Sequence, residues 1–151
     1  MKRLVIFTLF LLGFATISLA QNNEESAVKE AVNRLFTGMK TGDSVLTRSA
    51  FAPNAVMQTI VNKDGKITVR TELVNDFVKL IGTPHKEVYN ERIVFTKILM
   101  DGALASVWTD YKFYVGEKFS HCGVNSFQLV KGDQGWQIVY IIDTRRKERC
   151  N

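Results

Sequence analysis

Proline occurs only twice in these 151 residues, cysteine twice and glycine ten times. That scarcity excludes a collagen-like chain, a low-complexity tract and a disulfide-dense scaffold. Histidine also occurs only twice, as His85 and His121. No His-x-His, Glu-x-x-His or Cys-x-x-Cys spacing occurs, so the pattern points to no metal and to no other cofactor. A glycine-rich phosphate loop and a serine nucleophile elbow are missing too. Charged residues make up 23% of the chain and hydrophobic ones 46%, which excludes wholesale disorder and suits one globular domain.

What is present begins with a leader-like segment. Lys2 and Arg3 precede an apolar run from Leu4 to Ala15, and Ser18-Leu19-Ala20 offers small residues at a cleavage site. This is the pattern of a secretory signal peptide over residues 1–20, cut before Gln21. No Cys lies near the cut to carry a lipid, and no later stretch is long enough to span a bilayer. The expectation is a periplasmic or secreted protein with no stable membrane anchor after cleavage. The formal charge is +5, from 20 Lys and Arg against 15 Asp and Glu. Without Lys2 and Arg3 it is +3, and Arg145-Arg146-Lys147-Glu148-Arg149 alone accounts for that excess. The body, 21–144, is therefore neutral, which argues against a face that tracks a nucleic-acid backbone. Residues 145–151 read as a basic, solvated C-terminal tail.

Periodicity places the elements. Val28, Ala31, Val32, Leu35, Phe36 and Met39 form one apolar helical stripe. Gly42 is a natural cap for that helix, and Asp43 caps a short second helix that Pro53 forbids from continuing. Two short strands follow, Ala55 to Val61 and Ile67 to Arg70, joined by a polar turn. Thr71 is expected to cap a third helix whose face carries Leu73, Val74, Phe77, Leu80 and Ile81. The rest reads as four long strands in a meander, the first pair joined at Asp101-Gly102. That is an α+β layout with helices on one face of an antiparallel sheet.

This order of elements resembles the nuclear transport factor 2-like superfamily, specifically its SnoaL-like group. The similarity is carried by Phe127-Gln128-Leu129-Val130-Lys131, by Gly135-Trp136-Gln137-Ile138-Val139 with Ile142-Asp143, and by Asp110 to Tyr114 ahead of His121-Cys122-Gly123. It spans residues 24–144, inside the 21–144 domain. The resemblance implies a strongly curved sheet wrapped around helices into a cone, with a pocket at its wide end and a homodimer through the outer sheet face. The superfamily holds isomerases, dehydratases, cyclases, hydrolases and binding domains, so the resemblance implies no single activity.

Turn lengths set an expected register. A two-residue loop at Asp101-Gly102 pairs Phe95 with Trp108 and Arg92 with Tyr111. A three-residue turn at 116–118 pairs Phe113 with His121 and Tyr111 with Gly123. A four-residue turn at 132–135 pairs Phe127 with Tyr140 and Leu129 with Ile138. Side chains alternate faces. The inner face then collects Arg92, Thr109, Phe113, Asn125, Phe127 and Tyr140 as ligand-binding candidates. His121 and Tyr111 join them as the candidate base and hydrogen-bond donor. Asp110 and Asp143, the natural acid–base carboxylates, fall outside, unless a bulge turns one of them inward. Cys122 and Cys150 form one even pair in an exported chain, and a tail folded back on the sheet would join them, with two free thiols as the alternative. The favoured reading is a module that binds a small, partly apolar molecule. The alternatives are an isomerase or dehydratase using His121 with Tyr111 or Tyr140, and a cell-envelope interaction protein acting through the outer face.

Overall fold

The computed structural model describes residues 23–150. The signal peptide expected over 1–20 lies outside the described residues. Helix α1 covers 23–41, and its six-residue apolar stripe from Val28 to Met39 is buried. Each of its larger side chains contributes about 2 kcal/mol on burial, so docking rather than helix propensity holds α1 in place. Its N-terminal end is pinned by Glu24, which accepts hydrogen bonds from Lys131 Nζ at 2.7 Å and Trp136 Nε1 at 3.1 Å. Gly42 closes the helix with φ of +70°, a conformation that costs glycine little. Helix α2, Ser44–Ser49, is capped as expected: Asp43 Oδ1 accepts from Leu46 N at 2.8 Å.

Strands β1 (Phe51–Lys63) and β2 (Lys66–Glu72) make the first hairpin. Both are longer than their apolar segments suggested. Thr71 is not a helix cap: it lies in β2 opposite Gln58, and helix α3, Val74–Gly82, starts after Leu73 with no side-chain cap. Ile81 of α3 is buried and Phe77 packs on the core, while Leu73 stays exposed at 67%.

Strands β3 (Tyr89–Asp101), β4 (Leu104–Val115), β5 (Lys118–Gly132) and β6 (Gly135–Arg146) form the meander. The six strands make one sheet in the order β2-β1-β6-β5-β4-β3. The pairing of β1 corrects the expectation of a wholly antiparallel sheet, because β1 runs parallel to β6. The fold is α+β: three helices packed in a mixed, strongly curved sheet that wraps them into a cone. Strand β6 continues through Arg145 and Arg146, so two of the expected tail residues belong to the sheet.

Three one-residue bulges bend the meander. Thr96 is the extra residue between β3 and β4, Ser120 between β4 and β5, and Val139 between β5 and β6. Each bulge bends its strand and flips the inward parity beyond it. Cys122 and Cys150 form a disulfide with Cα atoms 5.8 Å apart, which ties the C-terminal segment to the outer side of β5. No helix among the described residues is long and apolar enough to cross a membrane.

Candidate functional site

The cone encloses a cavity of about 350 Å³ between α1, α3 and the sheet. Its walls are apolar on the helix side, with Leu35, Phe36, Met39, Phe77 and Ile81. Across from them the strands carry the polar groups Glu91, Tyr111, His121, Asn125, Asp143 and Arg145.

The bulges decide which side chains arrive there. The Gly102-Ala103 turn pairs Asp101 with Leu104, and the Thr96 bulge then pairs Phe95 with Thr109 and Arg92 with Lys112. Arg92 is thereby turned to the outer face, where its guanidinium sits 4.3 Å from the Tyr114 ring centroid. Ile93 and Phe95, expected outside, pack on the core, and Glu91 faces the cavity. On β6 the Val139 bulge leaves Leu129 opposite Ile138 but places Phe127 opposite Ile141. Tyr140 therefore leaves the pocket, and its hydroxyl donates to Gln58 Oε1 at 2.7 Å. The same step brings Asp143 and Arg145 inward. Asp110 stays on the outer face, as expected.

The remaining candidates keep their expected parity. Phe113 pairs with His121 and Tyr111 with Gly123, although by a different route: a two-residue turn at Gly116-Glu117 plus the Ser120 bulge, in place of a three-residue turn. Phe113, His121, Tyr111 and Asn125 line the cavity. Thr109 faces inward but is fully buried, with its Oγ1 3.4 Å from Asn125 Nδ2. Phe127 also faces inward and is core, edge-on to Phe36 with ring centroids 6.2 Å apart.

Asp143 is the hub of the polar end. Its Oδ1 accepts from the Thr59 hydroxyl, and its Oδ2 from Arg145 Nε at 2.9 Å and the Tyr111 hydroxyl at 3.1 Å. The Tyr111 hydroxyl also reaches Thr144 O at 2.9 Å, so one proton is shared between two acceptors. Burial, and then the Asp143 and Glu91 charges, push the Tyr111 phenol far up, which keeps it a donor. Burial and then Arg145 lower the His121 imidazole, so it is neutral near neutral pH. Among the described residues, no group of three His, Cys, Asp or Glu side chains could hold a metal ion.

Glu91, Asp143 and Arg145, with Gln58, Thr59 and Glu72, are the polar residues that sequence reasoning left out of the pocket. A signal for Glu91 does exist. The apolar residues Ile93, Phe95, Ile98 and Met100 keep a step of two except for one step of three, which is the mark of a bulge at Thr96. On β6 the same mark is blurred, because Val139, Tyr140, Ile141 and Ile142 are all apolar or aromatic.

Comparison with known proteins follows this geometry. A family model described as "Putative lumazine-binding" matches residues 23–141. A nuclear transport factor 2-like protein of unknown function from Shewanella baltica is 22% identical, with TM-score 0.65 over 83% of this chain and 96% of its own. A domain of unknown function with a cystatin-like fold from Nostoc punctiforme is 16% identical, with TM-score 0.64 over 84% and 80%. A nuclear transport factor 2-like protein from Novosphingobium aromaticivorans is 10% identical, with TM-score 0.69 over 89% of each chain. At these identities the structures establish the fold alone. No curated protein sequence matches the chain.

Proposed function

The chain belongs to the "Putative lumazine-binding" family, and from that premise we propose that the cone is the binding site of a small, partly apolar molecule such as a lumazine. The observation that carries this reading is the cavity itself: apolar walls with a few convergent hydrogen-bonding groups at one end, at a volume usual for small ligands. A flat bicyclic heterocycle would lay its faces against Phe36, Phe77 and Phe113 and turn its polar edge toward Glu91 and Asn125.

Two observations favour binding over acid–base catalysis. The Asp143 carboxylate already accepts three hydrogen bonds, so it serves as an anchor for Arg145 and Tyr111 rather than as a base. Tyr140, one of the two partners considered for His121, does not line the cavity, and its hydroxyl is engaged by Gln58. An open cavity also speaks against a purely structural interaction protein.

The outer face carries exposed Val94, Leu99 and Trp108, which suits a homodimer contact. Export belongs to the same reading. The signal-like leader and the Cys122–Cys150 bridge both fit an oxidising compartment, periplasmic or extracellular.

Native mass spectrometry of protein purified from its own host tests these points together. The expected species is a dimer of chains that begin at Gln21, with one small molecule per chain, or with lumazine bound once per chain after addition. Saturation is expected in the micromolar range, about 8 kcal/mol of binding free energy. A monomer would remove the dimer proposal, and a retained leader would remove export. A ligand-free chain that takes up no lumazine would remove the ligand reading.

A further inference from the structure

Three carboxyl groups line the cavity, Glu72, Glu91 and Asp143, and the last two stand in opposite states. Asp143 is enclosed by Thr59, Tyr111 and Arg145. Glu91 has one hydrogen bond among the described residues, from Asn125 Nδ2 to its Oε1 at 2.8 Å. Its other oxygen accepts none, although the residue lines the cavity. Asn125 is 3% exposed, and both of its side-chain hydrogen bonds among the described residues use Nδ2. Its Oδ1 is thus a second acceptor at the cavity wall that takes no hydrogen bond among the described residues. Neither atom is among the buried unpaired side-chain atoms, so both open onto the cavity, where they are available to the polar edge of a ligand.

The titratable groups that line the cavity with Glu91 are few, and Tyr89 is the one on its own strand. Asp143 and Arg145 approach from β6, Tyr111 from β4, His121 from β5 and Glu72 from β2, while α1 and α3 present only apolar side chains to the cavity. Burial, opposed by the Asn125 hydrogen bond and assisted by the Asp143 charge, pushes the Glu91 carboxyl up to about 7. Below that pH it is a neutral acid with an O–H to give. Above it, the group is an anion against an apolar wall.

Resting on the reading of the cone as a ligand site, we propose that Glu91 and Asn125 are its specificity-determining pair. The Glu91 O–H donates to a carbonyl of the ligand, and Asn125 Oδ1 accepts from the neighbouring N–H. The site therefore selects a cyclic amide or imide, and it releases that ligand when Glu91 loses its proton. An acid that stays neutral so that it can donate is a known use of a buried carboxyl. A site built to bond both groups of such an edge rejects an analogue that lacks one of them.

The test is calorimetric titration of the mature chain with lumazine and with 1,3-dimethyllumazine, which has the carbonyls but no ring N–H. Wild type, Glu91→Gln and Glu91→Leu are compared at about pH 6 and about pH 8, with thermal melting to confirm that each is folded. Gln keeps a donor but cannot ionise, so it reports the ligand's own titration. Wild-type affinity for lumazine should fall about tenfold per pH unit above 7, beyond any fall shared by Glu91→Gln. Glu91→Leu should bind at least tenfold more weakly at the lower pH, as should the dimethyl analogue on wild type. Equal pH slopes for wild type and Glu91→Gln, or full affinity in Glu91→Leu, would overturn the proton link and the role of Glu91. Equal binding of both ligands would overturn imide selection. A folded wild type that binds lumazine at neither pH would overturn the ligand reading beneath both.

Discussion

Gly123→Ala is expected to destabilise the protein by about 3 kcal/mol or more and to disturb the polar end of the cone. Gly123 lies in β5, opposite Tyr111 on one side and Arg145 on the other. A Cβ at this position would run into the backbone carbonyl of Thr144 and come within 2.8 Å of Tyr111 Cε1. A flexible side chain could move aside, but a carbonyl inside a central strand can do so only if β5 and β6 part. Over-packing in cores costs about 1–3 kcal/mol when side chains can adjust, and here the main obstacle is backbone. Tyr111 would shift as well, and with it the hydroxyl shared by Asp143 and Thr144. Urea denaturation should show the loss as a lower midpoint, and thermal melting as a drop of roughly 10 °C. A loss below about 1 kcal/mol would mean that the two strands separate there without cost.

Removal of the Cys122–Cys150 bridge is expected to cost about 3 kcal/mol. Its two ends are 28 residues apart in sequence, and on the loop-entropy model closing a loop of that length restricts the unfolded chain by about 3.5 kcal/mol. Cys122 is 1% exposed, so the double variant should be Cys122→Ala with Cys150→Ala, which avoids burying a hydroxyl. Denaturation of the oxidised, the reduced and the double-alanine protein gives the comparison. The last two should agree with each other and fall below the first. An oxidised protein no more stable than the reduced one would show that the tail docks without the bridge.

Much of this molecule is legible along the chain. The α1 stripe is a local pattern of period 3.6 with no competing reading, and every one of its residues is buried. Asp43 caps α2 because its acceptor lies within reach of the third backbone amide beyond it. The disulfide is readable because two cysteines admit a single pairing. The pocket was harder. On β4 and the first part of β5 the expected parity holds only because the shorter turn and the Ser120 bulge offset each other. On β3 and β6 nothing offsets the bulges at Thr96 and Val139. Arg92 and Tyr140 therefore leave the cavity, while Glu91, Asp143 and Arg145 enter it.

The nearly neutral body also has a different meaning in three dimensions. Arg145, counted with a solvated tail, is part of β6 and holds Asp143 inside the cone. Local patterns of apolar spacing, capping and turn residues specify the elements, the buried face of α1 and the class of fold, because each depends on neighbours within a few positions. The parallel pairing of β1 with β6 depends on contacts between residues more than eighty positions apart, and the composition of the pocket turns on bulges in the hairpins of the meander. One inserted residue reverses the direction of every side chain beyond it in the strand, and whether it bulges is settled by how the curved sheet closes over the helices.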